Sequence, residues 1–267
     1  DKTIPLSGKW KYKVSASNSD FDFVEYGPNA YPSLLYNAMV NPLVGLSMQG
    51  VIWYQGENNT NRAKGYYHLF PAMINDWRKK WGKDFPFYWV QLANYMDAVE
   101  VPSESLWAQV REAQTQTLSL PHTGQAVISD IGEAKDIHPK NKQEVGRRLA
   151  LHALHNDYGF SDVVCESPMP KTVRRVQDKI VVQFDNVADG LIVKNKYGYL
   201  MSFAVAGTDG VYKWVQAKVA GKDRVVLSCP DVIDPVSVRY AWGDNPDDAN
   251  LYNSVGLPAT PFEIKIE

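Results

Sequence analysis

Two short polar blocks carry the residue types that acyl-transfer chemistry needs. Gln55-Gly56-Glu57-Asn58-Asn59 is a glycine-flanked cluster of amide side chains, able to aim N–H donors at an oxyanion as it develops. Asp136-Ile137-His138-Pro139 sets an aspartate two residues before a histidine, where it can orient the imidazole as a general base. Taken singly, each block is weak, because Asp-x-His arises by chance and Gln-Gly-Glu also suits a capped turn. Arg111 shares a helix face with Trp107 and reads either as a salt-bridge partner or as a clamp for a substrate carboxylate. Two other chemistries compete for the same residues. Glu57 and Asp136 would be the carboxylate pair of a glycosidase. His122, Asp136 and His138 would be metal ligands, although the usual tight pair with spaced partners is absent.

The segments that must position these blocks alternate in type. Gly50-Val51-Ile52-Trp53-Tyr54 reads as a strand buried on both faces, and the first polar block follows it directly. Residues 62–81 carry apolar side chains at helical spacing, and Pro71 inside them predicts a kink or two successive helices. Phe87–Leu92 is a second buried strand, followed by a helix capped at Ser103 that ends before Pro121. Gln125–Ser129 is a third strand, and the second polar block follows it. Pro139 then opens a long helix with Val145, Leu149, His152 and Ala153 on its inner face. Strands alternating with helices predict a parallel, doubly wound α/β sheet, whose ligands bind at the carboxyl ends of the strands.

Upstream, residues 1–14 alternate as one or two strands would, and Leu34–Val40 reads as a short helix stopped by Asn41-Pro42. Past Gly159, short alternating segments separated by Gly, Asp and Pro turns predict an all-β sandwich. These are Lys179–Phe184, Leu191–Val193, Met201–Ala206, Tyr212–Val219, Arg224–Leu227, Val236–Trp242 and Phe262–Ile266. Composition agrees with a globular chain of about two domains. The 267 residues are 45% hydrophobic and 22% charged. A net charge of -2 offers no electrostatic footprint for nucleic acid or an anionic membrane surface. No run of roughly 18 apolar residues is present to span a bilayer. Cys165 and Cys229 form one bridge or stay as two buried thiols.

Read together and in order, the blocks resemble the sialate O-acetylesterase branch of the SGNH hydrolases. The resemblance rests on Pro32–Pro42 and Gly50–Asn59, with Trp-Tyr-Gln-Gly-Glu at 53–57. It continues in Trp107–Gln114, in Asp136–Pro139 with Lys142, Val145-Gly146 and Arg148–Ala150, and in the tail at 238–242, 250–253 and 256–262. It implies an SGNH (flavodoxin-like) sheet over 16–158 and a C-terminal β-sandwich module over 159–267. It also implies the end of an inserted β-domain over 1–15.

That resemblance makes His138 the general base and later the acid, with Asp136 fixing its tautomer. The spacing here is Asp-x-His, where SGNH enzymes at large use Asp-x-x-His. Gln55 or Asn58 would be the oxyanion donor, with Gly56 in the turn and Glu57 binding a substrate hydroxyl or bracing the loop. The implied substrate is a sialic acid or another acetylated sugar, with no metal or organic cofactor. A secreted, periplasmic or lysosomal setting is what the family favours. The family's serine lies in a Gly-Gln-Ser-Asn-Met-like turn with no counterpart here. The segment Gly45–Gly50 is one residue too long, Ser17-Asn18 lacks the flanking glycine, and Ser129 belongs to the Asp/His loop. The expectation is therefore a C-terminal portion beginning inside the insert, with the serine on the N-terminal part of the same enzyme, possibly a separate chain. The rival expectation is a non-catalytic carbohydrate-binding or interaction fragment that keeps the scaffold.

Overall fold

The computed structural model describes Gly27 and residues 31–267. The strands expected within 1–14 lie outside the described residues. The chain forms two compact units, residues 1–47 and 48–267. In the first, Leu34-Leu35 begin a helical turn that widens over Tyr36–Val40 and tightens over Asn41–Leu43. The wide helix ends at Val40 as expected, and Asn41-Pro42 opens the separate tight turn, where a missing N–H costs nothing.

The second unit opens with a three-stranded parallel sheet, ordered β1 (Val51–Trp53), β2 (Phe87–Val90), β3 (Thr123–Ala126). Trp53 pairs with Trp89, and Val90 with Ala126. Side chains alternate across a strand, and β2 is apolar at every position, so both its faces are covered. Phe87 and Trp89 pack on α1 (Ala63–Trp81) and α2 (Leu106–Gln116), with Tyr66, Phe70, Ile74, Trp107 and Val110. Tyr88 and Val90 pack on Val145 and Leu149 of α3 (Lys142–Asn156). Each such buried side chain contributes about 1.5–3 kcal/mol. That burial explains why α1 runs unbroken through Pro71 rather than dividing there. The apolar stripe offsets a proline defect of about 3 kcal/mol.

Three further sequence expectations need correcting. Among the described residues β1 ends the sheet and Ile52 is 72% exposed, so it is not buried on both faces there. The cap of α2 is Ser105, whose Oγ accepts from the Ala108 N–H at 2.8 Å, and not Ser103. α3 starts at Lys142 with Asn141 as its cap, accepting from Glu144 N–H at 3.3 Å. Pro139 is instead a buried anchor in the preceding loop.

Downstream, two antiparallel four-stranded sheets share one core. The first is ordered β4 (Met169–Val176), β5 (Lys179–Asp185), β10 (Arg224–Ser228), β9 (Gln216–Ala220). The second is ordered β13 (Phe262–Lys265), β11 (Ser237–Tyr240), β7 (Phe203–Ala206), β8 (Tyr212–Trp214). Ile180, Val182 and Phe184 from one sheet meet Phe203, Val205, Val238 and Tyr240 from the other. β6 (Leu191–Val193) and β12 (Leu251–Asn253) form a two-stranded flank. This is the expected sandwich. β4 escaped the sequence reading because it is an edge strand with Pro170 at a register shift and three basic residues, devices that blunt a sheet edge. Cys165 and Cys229 are buried free thiols. Among the described residues, no helix is long and apolar enough to cross a membrane.

Candidate active site

Because β1 and β3 run parallel on either side of β2, both polar blocks leave the same edge of the sheet. They meet there in a shallow cleft of about 360 Å³ lined by Tyr54, Gln55, Glu57, Asn58, Ile137, His138 and Lys142.

The turn after β1 is built around Gly56, whose φ of +152° disfavours an L side chain. A Cβ there would come within 3.2 Å of Leu92 Cδ2 and 3.4 Å of Gln114 Nε2. Gln114 holds the turn against β2. Its Oε1 accepts the Leu92 N–H, and its Nε2 donates to the carbonyls of Val90 and Gln55. The Gln55 amide is itself fixed, its Nε2 donating to Asn59 Oδ1 at 2.8 Å. The Tyr66 hydroxyl lies 3.2 Å from Gln55 Oε1. One N–H of that amide is left over. Asn58 is exposed and holds no hydrogen bond through its side chain among the described residues. Burial, with the Glu57 charge second, pushes the Tyr54 hydroxyl up to about 12, so it stays protonated across the working range.

The loop after β3 hangs from β2 and from the sandwich. Gly132 N–H donates to Asn94 Oδ1 at 2.7 Å, and Asn94 Nδ2 donates to Asn245 Oδ1 at 2.8 Å. A Cβ on Gly132 would lie 2.1 Å from the Asn94 carbonyl oxygen, so only glycine fits. At the loop's base, Arg148 makes a two-pronged ion pair with Asp130 at 2.6 and 2.9 Å and reaches Glu144 at 2.8 Å. Glu144 is held down to about 2, chiefly by its hydrogen bonds to Arg147, which stabilises its charged form. At the tip, Asp136 Oδ1 accepts the His138 backbone N–H at 2.9 Å and stands 3.8 Å from His138 Nδ1. The imidazole is 87% exposed and carries no hydrogen bond.

The structure thus brings Gln55, Glu57, Asn58 and His138 around one cleft, with Gly56 shaping the turn and Asp136 beside the histidine. Arg111 is not brought there. It is fully buried, and its guanidinium donates to the carbonyls of Leu92, Ala93, Gly243 and Asp244 at 2.5–2.9 Å. Neither the salt bridge nor the carboxylate clamp expected from sequence describes it. Its role is to tie α2 and the end of β2 to the sandwich, and burial pulls its pKa down to about 9. Sequence reasoning gave no role to Lys142, which lines the cleft with its Nζ 4.5 Å from the Tyr54 ring centroid. Its signal was position alone, in the first turn of the helix that follows His138. Trp53, Trp77, Trp81, Trp89 and Trp107 all belong to the core under β2, and none lines the cleft. Among the described residues, no serine lines the cleft, and no three His, Cys, Asp or Glu side chains cluster to hold a metal.

A parallel sheet with a histidine loop and an amide turn on one edge, joined to a β-sandwich, defines the class: an SGNH-type hydrolase fold. Comparison with known proteins gives the family. Residues 19–155 match the family described as carbohydrate esterase, sialic acid-specific acetylesterase. The chain is 31% identical to the sialate O-acetylesterase of Pongo abelii over 264 residues, covering 88% of this chain and 49% of that one. For the sialate O-acetylesterase of Rattus norvegicus the identity is 31% over 278 residues, covering 91% and 50%. A carbohydrate acetylesterase from Xanthomonas citri superposes with a TM-score of 0.83 at 45% identity, covering 88% of this chain and 55% of that chain. The chain belongs to the sialic acid-specific acetylesterase family of carbohydrate esterases. It spans about half the length of the curated relatives it matches.

Proposed function

We propose that the full-length protein removes O-acetyl groups from a sialic acid or another acetylated sugar by serine-dependent acyl transfer. One observation carries this reading: an exposed imidazole with Asp136 beside its Nδ1 and a clamped carboxamide, delivered from two different strand ends, line the same cleft. A serine from outside residues 31–267 supplies the nucleophile.

The serine hydroxyl attacks the acetyl carbonyl carbon while His138 Nε2 takes its proton. Asp136, beside Nδ1, holds the tautomer that leaves Nε2 free as the base, and the 3.8 Å gap tightens as the complete site assembles. The tetrahedral oxyanion is met by the remaining N–H of Gln55. Gln55 suits this role better than Asn58, because its orientation is already set by Asn59 and Tyr66. A preorganised donor spends nothing on reorientation in the transition state. The sugar oxygen then leaves with the proton from His138, giving an acetyl-serine. Water, deprotonated by His138, releases acetate and regenerates the serine. Glu57 accepts from a sugar hydroxyl at the cleft mouth.

The test is acetate release by the full-length protein from an O-acetylated sialic acid and from 4-nitrophenyl acetate, with and without fluorophosphonate. Release abolished by the reagent is the expected result. A folded full-length protein that hydrolyses neither ester would leave only the reading of a carbohydrate-binding scaffold.

A further inference from the structure

Lys142 occupies a place that its own helix does not favour. It is the first residue of α3, where the macrodipole presents its positive end and a cation is repelled. No carboxylate among the described residues compensates it. Glu144 is taken by Arg147 and Arg148, Glu133 by Lys140, and Asp136 by the His138 backbone N–H. Asp130 is taken by Arg148 and the Tyr252 hydroxyl. The ammonium instead stands over the Tyr54 ring, inside the cleft that His138 lines. Glu57 lines the same cleft without an ion pair to it. Among the described residues the cleft therefore presents a cation and a carboxylate with no ion pair between them.

We infer that Lys142, steadied on the face of Tyr54, is the residue that reads a carboxylate on the sugar and makes the site prefer acidic acetylated sugars over neutral ones. This rests on the function proposed above and names the group that sets its substrate preference. An ammonium poised over an aromatic face keeps its charge while losing part of its conformational freedom. A carboxylate arriving in the cleft meets a donor already in position, whereas a neutral sugar leaves that donor unpaired. Arg111, the other candidate for this task, is buried elsewhere with four of its five N–H donors given to backbone carbonyls.

The experiment compares an O-acetylated N-acetylneuraminic acid with its C1 methyl ester, which removes the charge and adds only one methyl group. In the full-length protein, the acid should be preferred in kcat/KM by about tenfold, nearly all of it in KM. Lys142→Gln should erase the preference, its loss on the acid exceeding any change on the methyl ester or 4-nitrophenyl acetate by about tenfold, and Lys142→Arg should restore most of it. Equal rates on acid and ester in the unsubstituted protein overturn the assignment, as does a Lys142→Gln loss shared by all three substrates. If the full-length protein releases no acetate at all, the functional reading fails instead. The carboxylate preference is then judged by equilibrium binding of N-acetylneuraminic acid against its methyl ester. Equal affinities there overturn it, and a preference abolished by Lys142→Gln supports it.

Discussion

The cleft and the seam between α2 and the sandwich use the same kinds of side chain to opposite ends. In the seam, Arg111 spends its guanidinium on four carbonyls, and Arg239 stacks over Tyr212 while bonding Glu104 and Glu263. In the cleft, His138, Lys142, Glu57 and Asn58 retain unused bonding capacity. A buried polar group left unpaired costs about 1–3 kcal/mol, so saturation marks structural work. Open capacity beside a held scaffold marks chemistry. The supports of the cleft belong to the first class: Gln114, Asn94 and Arg148 are all buried and hydrogen-bonded within the scaffold.

Four substitutions or conditions would sharpen or break that contrast. The largest effect is expected for His138→Ala in the full-length protein. Ester hydrolysis should fall by at least about a thousandfold with an unchanged melting temperature, because the ring is exposed and unbonded. Comparable activity after the change would remove the histidine from the mechanism. Next is Arg111→Met, which strands four buried carbonyls and should cost about 3–5 kcal/mol in urea unfolding. Arg111→Lys should not restore it, since one ammonium cannot serve that fan of acceptors. Unfolding midpoints that do not move would show that the seam is held otherwise.

Gly132→Ala lies between the two regions in kind. The added methyl must displace the loop from Asn94, and a shift of about 1 Å at His138 should cost up to about a hundredfold in rate. The smallest effect concerns pH. Burial lowers the His152 pKa below the ordinary imidazole range, so the unfolded chain binds a proton there that the native chain refuses. Its contribution to stability is therefore complete above about pH 6.5 and is lost as pH falls below it. Glu144, depressed to about 2, gives up its contribution only in more acid solution. A denaturation series from pH 7.5 to 5 should show a decline that His152→Gln flattens; an identical decline in both proteins would assign it to other groups.

Much of this was legible from residue types. The strand phase of Phe87–Val90, with both faces apolar, fixed a central strand, and parallel order then forced the two polar blocks onto one edge. Helix boundaries were less legible. Ser103 and Ser105 are equal as letters, and only the direction of the chain into α2 decides which hydroxyl reaches an N–H. Pro71 misled because local propensity is outweighed when five buried side chains hold the helix together. Arg111 misled for a deeper reason: its partners are backbone carbonyls, 18 to 133 residues away, and carbonyls leave no trace in sequence. Lys142 was passed over because a lysine at a helix start looks like any solvated charge until the Tyr54 ring is seen beneath it.

The central claim is that His138 serves a serine lying outside residues 31–267. It is tested most directly by labelling the full-length protein with a fluorophosphonate and mapping the modified residue by mass spectrometry, with and without His138→Ala. The account predicts one labelled serine outside 31–267 and labelling slowed sharply by the substitution. A label on any serine within 31–267, or labelling indifferent to His138, would contradict it.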